Sequence, residues 1–233
     1  MTPRLKILFE DNHLLVVDKP TLLPTMGVNV GDDSLVRQAK NYLGEKYNKP
    51  GNVYLGVVSR LDSFVSGVIV LARTSKSASR LSEQFREREP EKLYLAITPD
   101  LARMPEEGRL ENRIAKNEAQ HRMQILHDSS PSCPGEKLAI LNYRTMGRNS
   151  EQRLLEIRLE TGRKHQIRVQ LAGIGCPILG DQKYDSDLSF PFGIALHSLR
   201  LTLTHPTLKS LQSFQCAPPA FWRLDRFGYD IRN

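Results

Sequence analysis

The longest uninterrupted apolar run in this chain is Val68-Ile69-Val70-Leu71-Ala72, preceded by Gly67 and rich in β-branched residues. A bilayer-spanning helix needs roughly 18–20 apolar residues, so this run excludes a transmembrane helix. A short β-branched run bounded by glycine instead reads as a strand buried on both faces. Similar runs recur along the chain, so the fold is expected to rest on a sheet of short strands. The 233 residues suffice to bury roughly 70–75% of the unfolded chain's surface, enough for one sizeable core.

Leu5 to Phe9 and Leu14 to Val17 read as strands around the turn-forming pair Asp11-Asn12, giving an N-terminal hairpin that ends at Lys19-Pro20. After a loop with Pro24, Gly27 and Gly31, the spacing of Leu35, Val36, Ala39, Tyr42 and Leu43 predicts a helix over 35–47, capped by Asp33 or Ser34. Val53 to Val58 and Val68 to Ala72 read as buried strands. A second helix through about Glu87 is expected behind a cap at Ser75 or Ser77, with Ala78, Leu81 and Phe85 inward and Arg80, Glu83 and Arg86 in water. Further strands are expected at Leu93 to Ile97, Arg109 to Ile114, Arg122 to Leu126, Leu138 to Tyr143, Leu154 to Leu159 and Ile194 to Leu203. Ile167, Val169 and Leu171 alternate as in a strand, yet Ile167 and Leu171 also stand at i, i+4, so periodicity leaves both forms open there. Strands outnumber helices, which makes the class α+β with a mostly antiparallel, mixed sheet and flanking helices.

Lys plus Arg total 33 against 26 for Asp plus Glu, a formal net charge of +7. That balance permits a polyanionic partner without naming one. Arg153, Arg158, Arg163, Lys164 and Arg168 cluster against only Glu156 and Glu160, a stretch suited to phosphates or simply to water. The 3 cysteines are widely spaced and form no CxxC pair, and the 6 histidines form no HExxH, so neither a disulfide framework nor a metal site is expected. Gly173-Ile174-Gly175 with Gly180 lacks the GxGxxG spacing, and no GxxxxGK[ST] loop is present. The opening residues Met1 to Leu5 lack the layout of a signal peptide, and the expected location is the cytoplasm, away from membranes.

Two stretches remain: Arg60-Leu61-Asp62, lying between two core strands, and Gly162 to Arg168. Alone, Asp62 reads as a turn-forming or capping carboxylate and the second stretch as a solvated basic face. Together with other blocks they resemble the RluA-type pseudouridine synthases. Ile7 to Pro20 looks like that family's opening strand pair, Ser59-Arg60-Leu61-Asp62 through Ser66-Gly67 its HRLDxxTSG motif, Glu91 to Ala96 its EKxYLA block, and Glu160 to Val169 its TGRxHQIRVH block. Gly180 to Tyr184 and Ala195 to Ser198 through Thr204-His205-Pro206 extend the likeness. Ser59, Val65, Gln170 and Asp185 stand where the family usually has His, Thr, His and Gly.

The resemblance implies the pseudouridine synthase catalytic fold and the isomerisation of specific uridines to pseudouridine in structured RNA, transfer or ribosomal, without a cofactor. It implies Asp62 as the catalytic carboxylate, Arg168 as its partner, or else a phosphate clamp, and Tyr94 stacked on the uracil, or else a core tyrosine. Arg60 would fill the gap left by an extruded base, or else form a surface ion pair. Lys19, Arg163, Lys164 and Lys183 would touch phosphates or face water. Residues 1–233 are expected to form a single catalytic domain acting as a monomer, with no separate N-terminal RNA-binding domain, because the first catalytic strand begins near Leu5. The competing reading is a noncatalytic RNA-binding module that keeps the fold.

Overall fold

The structure, a computed structural model, describes residues 5–27, 32–101, 104–127 and 129–230. Gly31 and Met1 to Arg4 lie outside the described residues. In chain order the strands and helices are β1 (Lys6–Glu10), β2 (Leu14–Lys19), α1 (Leu35–Lys46), β3 (Gly56–Val57), β4 (Ser66–Ala72), α2 (Ser75–Glu87), β5 (Glu91–Pro99), β6 (Glu107–Asn117), β7 (Arg122–Leu126), β8 (Lys137–Arg148), β9 (Gln152–Leu159), α3 (Gln166–Gly173), β10 (Leu196–Thr204) and β11 (Leu211–Gln215). The chain divides into two compact units, Met1–Lys92 with His197–Pro218, and Leu93–Leu196 with Pro219–Asn233. Among the described residues no helix is long and apolar enough to cross a membrane.

In the first unit β2 pairs antiparallel with β1 on one side and β4 on the other, while β10 joins β4 in parallel at Ser66 and Gly67 and carries β11 antiparallel. Both faces of β2 and β4 are covered. Leu14, Val16, Val68, Val70 and Ala72 pack with Leu81 of α2 and with Leu201, Leu203 and Phe214. Leu15, Val17, Ile69 and Leu71 pack with Leu35, Ala39 and Leu43 of α1. Two-sided burial is the reason these strands read as continuous apolar runs rather than as alternating ones. Ser34 caps α1, accepting from Arg37 N.

Two expectations are corrected here. The cap of α2 is Thr74, whose hydroxyl accepts from Ser77 N, and not Ser75 or Ser77. Val53 to Val58 is not a full strand: Val53 and Leu55 are buried under α1, but only Gly56 and Val57 pair with β4. β-branched, buried residues satisfy the apolar pattern without a backbone partner.

The second unit carries strand order β5-β9-β8-β6-β7, in which β9-β8, β8-β6 and β6-β7 are antiparallel. The open segment 166–173 is helical, as α3, and Val169 and Ala172 pack with Ile114, Ala139 and Ile125. β11 was not anticipated, since Leu211-Gln212-Ser213-Phe214-Gln215 has only one buried apolar side chain, Phe214.

Candidate active site

Asp62 sits half-buried in the loop that enters β4. Side chains from the end of β2 and the segment after it hold the main chain on both sides of Asp62. Thr25 Oγ1 donates to Leu61 O at 2.7 Å and accepts from Leu61 N at 3.1 Å. Lys19 Nζ donates to Ser63 O at 3.4 Å, and Thr21 Oγ1 donates to Phe64 O at 2.9 Å. Val65 N closes the turn onto Asp62 O at 3.1 Å. These bonds at Leu61, Ser63 and Phe64 fix the main chain on either side of Asp62.

Lys19 itself is a correction. The expectation is that it touches phosphates or faces water, but it is fully buried, with Nζ donating at 2.8 Å to both Pro20 O and Leu23 O. Burial pushes its ammonium down to about 7, while the nearby Asp62 charge pulls it back up. Its length let it read as a surface cation, but carbonyls of the following turn fold over it. Arg60 is exposed.

The residues after the loop explain their own identities. Ser66 Oγ donates to His197 Nδ1 at 2.8 Å, and His197 Nε2 donates to Cys216 O at 3.0 Å. Gly67 has φ +117°, and a Cβ there would run into the backbone of Ser198, its parallel partner on β10. Val65, where Thr is usual, is 2% exposed.

In the second unit, Arg168 lies on the first turn of α3 and is 4% exposed. Asp181 grips it with two bonds of 2.7 Å, from Nε and Nη2, and the Tyr184 ring lies 5.0 Å from Cζ. This fork-to-carboxylate grip fixes the guanidinium plane and compensates its burial. Asp181 was not singled out from sequence, although it stands in the Gly180 to Tyr184 block that carries the family likeness. Tyr184 OH accepts from Met123 N at 3.1 Å, which leaves its proton for His165 Nδ1 at 2.8 Å. His165 begins α3 at φ +53°.

The turn before α3 is closed by Gln166, whose Oε1 accepts from Thr161 Oγ1 at 2.7 Å and Arg163 N at 3.0 Å, and whose Nε2 donates to Ile140 O. Arg163 is half-buried with Nε on Leu138 O, while Lys164 and Lys183 are exposed. Tyr94, half-buried on β5, alternates with the buried Leu93 and Leu95 and so projects from the opposite face of the strand. Arg153, placed above in the basic cluster, is buried and bound to Asp100 and to the carbonyls of Met104 and Pro105, so it organises a loop and is closed to ligands. Among the described residues no group of three or more His, Cys, Asp and Glu is placed to hold a metal ion.

A family model described as RNA pseudouridylate synthase matches residues 13–173. The chain belongs to that family. Its sequence is 33% identical over 214 residues to ribosomal large subunit pseudouridine synthase D of Nitrosomonas europaea, covering 87% of this chain and 58% of the relative. It is 30% identical over 219 residues to a Bacillus subtilis protein named as an uncharacterized RNA pseudouridine synthase, covering 93% and 69%. The solved structure of human RNA pseudouridylate synthase domain containing 4 superposes with a TM-score of 0.79 at 28% identity, covering 98% of this chain and 95% of that one. The fold is therefore that of the pseudouridylate synthase domain. The chain spans 58% and 63% of the length of the Nitrosomonas europaea and Yersinia pestis relatives named ribosomal large subunit pseudouridine synthase D.

Proposed function

We propose that this chain isomerises uridine to pseudouridine in RNA, without a cofactor, with Asp62 as the catalytic carboxylate. The observation that carries the reading is the loop 61–64, held by Thr25, Lys19 and Thr21 so that Asp62 is fixed within a segment of family motif. In the reaction the bond from the base nitrogen to the ribose breaks, the uracil turns, and a carbon-carbon bond forms. A uracil anion disperses its own charge on leaving, and no water takes part, so one ionised carboxylate suffices where glycoside hydrolysis needs two. Asp62 would attack the anomeric carbon or remove the neighbouring ribose proton.

Arg168 supplies a permanently charged, rigidly held group for that anionic centre, and Tyr94 a flat ring for the turned base, where stacking contributes about 1–3 kcal/mol. Arg60 takes the space vacated by the extruded base, and Arg163, Lys164 and Lys183 contact phosphates. Relatives named for the ribosomal large subunit make large-subunit RNA the first substrate to test, with transfer RNA second.

The test is pseudouridine content of each RNA after incubation with the wild type and with Asp62→Asn, which keeps shape and loses charge. The variant should bind RNA within about tenfold of the wild type and form no pseudouridine. Comparable turnover by the two removes Asp62 from its role. Binding without conversion by the wild type favours a noncatalytic RNA-binding module.

A further inference from the structure

The segment that holds the Asp62 loop and the loop itself both display large apolar side chains to solvent. Leu22 and Met26 on the first are 55% and 51% exposed, and Phe64 on the second is 46% exposed. Leu22 stands at φ +63°, a left-handed conformation that leucine adopts only when its surroundings impose it. What imposes it is the buried Lys19 ammonium, which draws in the carbonyls on both sides of Leu22, at Pro20 and Leu23. Thr21 then bonds this turn to Phe64 O. Leu22 and Phe64 are thus carried on two backbone segments tied to each other, two residues from Asp62 and close in sequence to the exposed Arg60. Such outward display of apolar groups on a strained, cross-tied turn has no use in the core of the unit.

We infer that Leu22 and Phe64 form a stacking platform for an unpaired nucleobase next to the target uridine. This rests on the function proposed above and adds to it a preference for target sites with unstacked purine neighbours. Three features select a nucleobase as the occupant: continuity with the Asp62 loop, the positive charge that the exposed Arg60 adds beside that loop for a polyanionic strand, and the need to support the bases that flank the uridine once it is turned out. Any flat base can stack on the Phe64 ring and pack against the Leu22 side chain, and purines do so over the largest area.

The test uses two single-stranded RNA nonamers with a central uridine, one flanked by adenines and one by abasic residues, and measures affinity for the full chain by fluorescence anisotropy. The wild type should prefer the adenine-flanked RNA by about tenfold. Phe64→Ser and Leu22→Asn should each shrink that preference to within about twofold, and Phe64→Tyr should retain it. Asparagine accepts the left-handed conformation at position 22, so that variant keeps its turn. A wild type without flank preference, or variants with an undiminished one, overturns the platform. Pseudouridine formation is read separately, by mass spectrometry of large-subunit RNA. Conversion without flank preference sinks the platform and spares the catalytic reading, whereas flank preference without conversion supports the platform and sinks the catalysis.

Discussion

Arg168 and Lys19 show how a cation is kept inside this protein. Arg168 is neutralised by a carboxylate in a two-bond grip, and Lys19 by carbonyls and the field of Asp62. Removing one partner of a buried pair strands the other, a cost of about 3 kcal/mol or more. Asp181→Asn should therefore lower the melting temperature by several degrees and cut turnover further by loosening Arg168. A variant with wild-type stability and rate would make Asp181 a bystander. Gly67→Ala should also destabilise, by about 2 kcal/mol or more, through left-handed strain and collision with Ser198. Denaturant unfolding with an unchanged midpoint would refute that. Asp185, where the family often has Gly, adopts φ +64°, which aspartate tolerates, so the departure leaves the turn intact.

Among the elements, α1 is fastened to β1 by Glu10, which accepts from Tyr42 OH and Lys46 Nζ at 2.8 Å and from Tyr47 OH at 2.6 Å. Burial alone pushes the Glu10 carboxyl up, but hydrogen bonds from Lys46, Tyr47 and Tyr42 outweigh it and hold it near about 2 instead of 4.5. The folded chain then binds fewer protons than the unfolded one across that window. Its contribution is full above about 4.5 and is lost as pH falls towards about 2. His197, which joins β4 to β10, is pushed by burial down to about 4 from 6.5, so stability from this site likewise declines as pH falls through 6.5 towards 4. Stability measured against pH should lose its 6.5-to-4 slope in His197→Gln and its lower slope in Glu10→Gln. Parallel curves for wild type and both variants would contradict these assignments.

Across the whole molecule, the net charge of +7 gains meaning from which cations are left outside. Arg153, Arg168 and Lys19 are committed internally, while Arg60, Lys164 and Lys183 are exposed. RNA affinity should fall with salt at a logarithmic slope of about −0.7 per phosphate contact on single strands. Lys164→Ala and Lys183→Ala should each make the slope shallower by about that amount, and Arg153→Ala should not reduce it. Identical slopes for the first two and the wild type would assign them to water. The chain also returns late to its first unit, where Leu201, Leu203 and Phe214 complete the cluster around Leu14 and Val70. Ending the chain after Leu196 should therefore leave that unit unable to unfold cooperatively, as circular dichroism on heating would show.

The strands β2 and β4 and the helices α1 and α2 were legible in the sequence, because two-sided burial writes unbroken apolar runs and one-sided burial writes a helical stripe. The resemblance supplied Asp62, Tyr94 and Arg168 as candidate site residues, which hydropathy and spacing alone did not distinguish from structural ones. Sequence could not decide between helix and strand at 166–173, and the reason is visible in α3. Gln166, Ile167, Arg168, Val169, Gln170 and Leu171 are all buried, so no apolar face stands out against a polar one. Their polar groups bond residues outside the helix, Gln166 with Ile140 and Thr161, Arg168 with Asp181, and Gln170 Nε2 with Leu110, Asn112 and Ala139, while Gln170 Oε1 is buried without a hydrogen-bond partner. The same holds for Arg153, enclosed by carbonyls brought from elsewhere in the chain, whereas Lys19 is enclosed chiefly by those of the turn that follows it, with Ser63 O at longer range. Hydropathy and spacing are local quantities and determined the local elements. The placement of buried polar groups depends on partners that only the folded backbone brings within hydrogen-bonding distance.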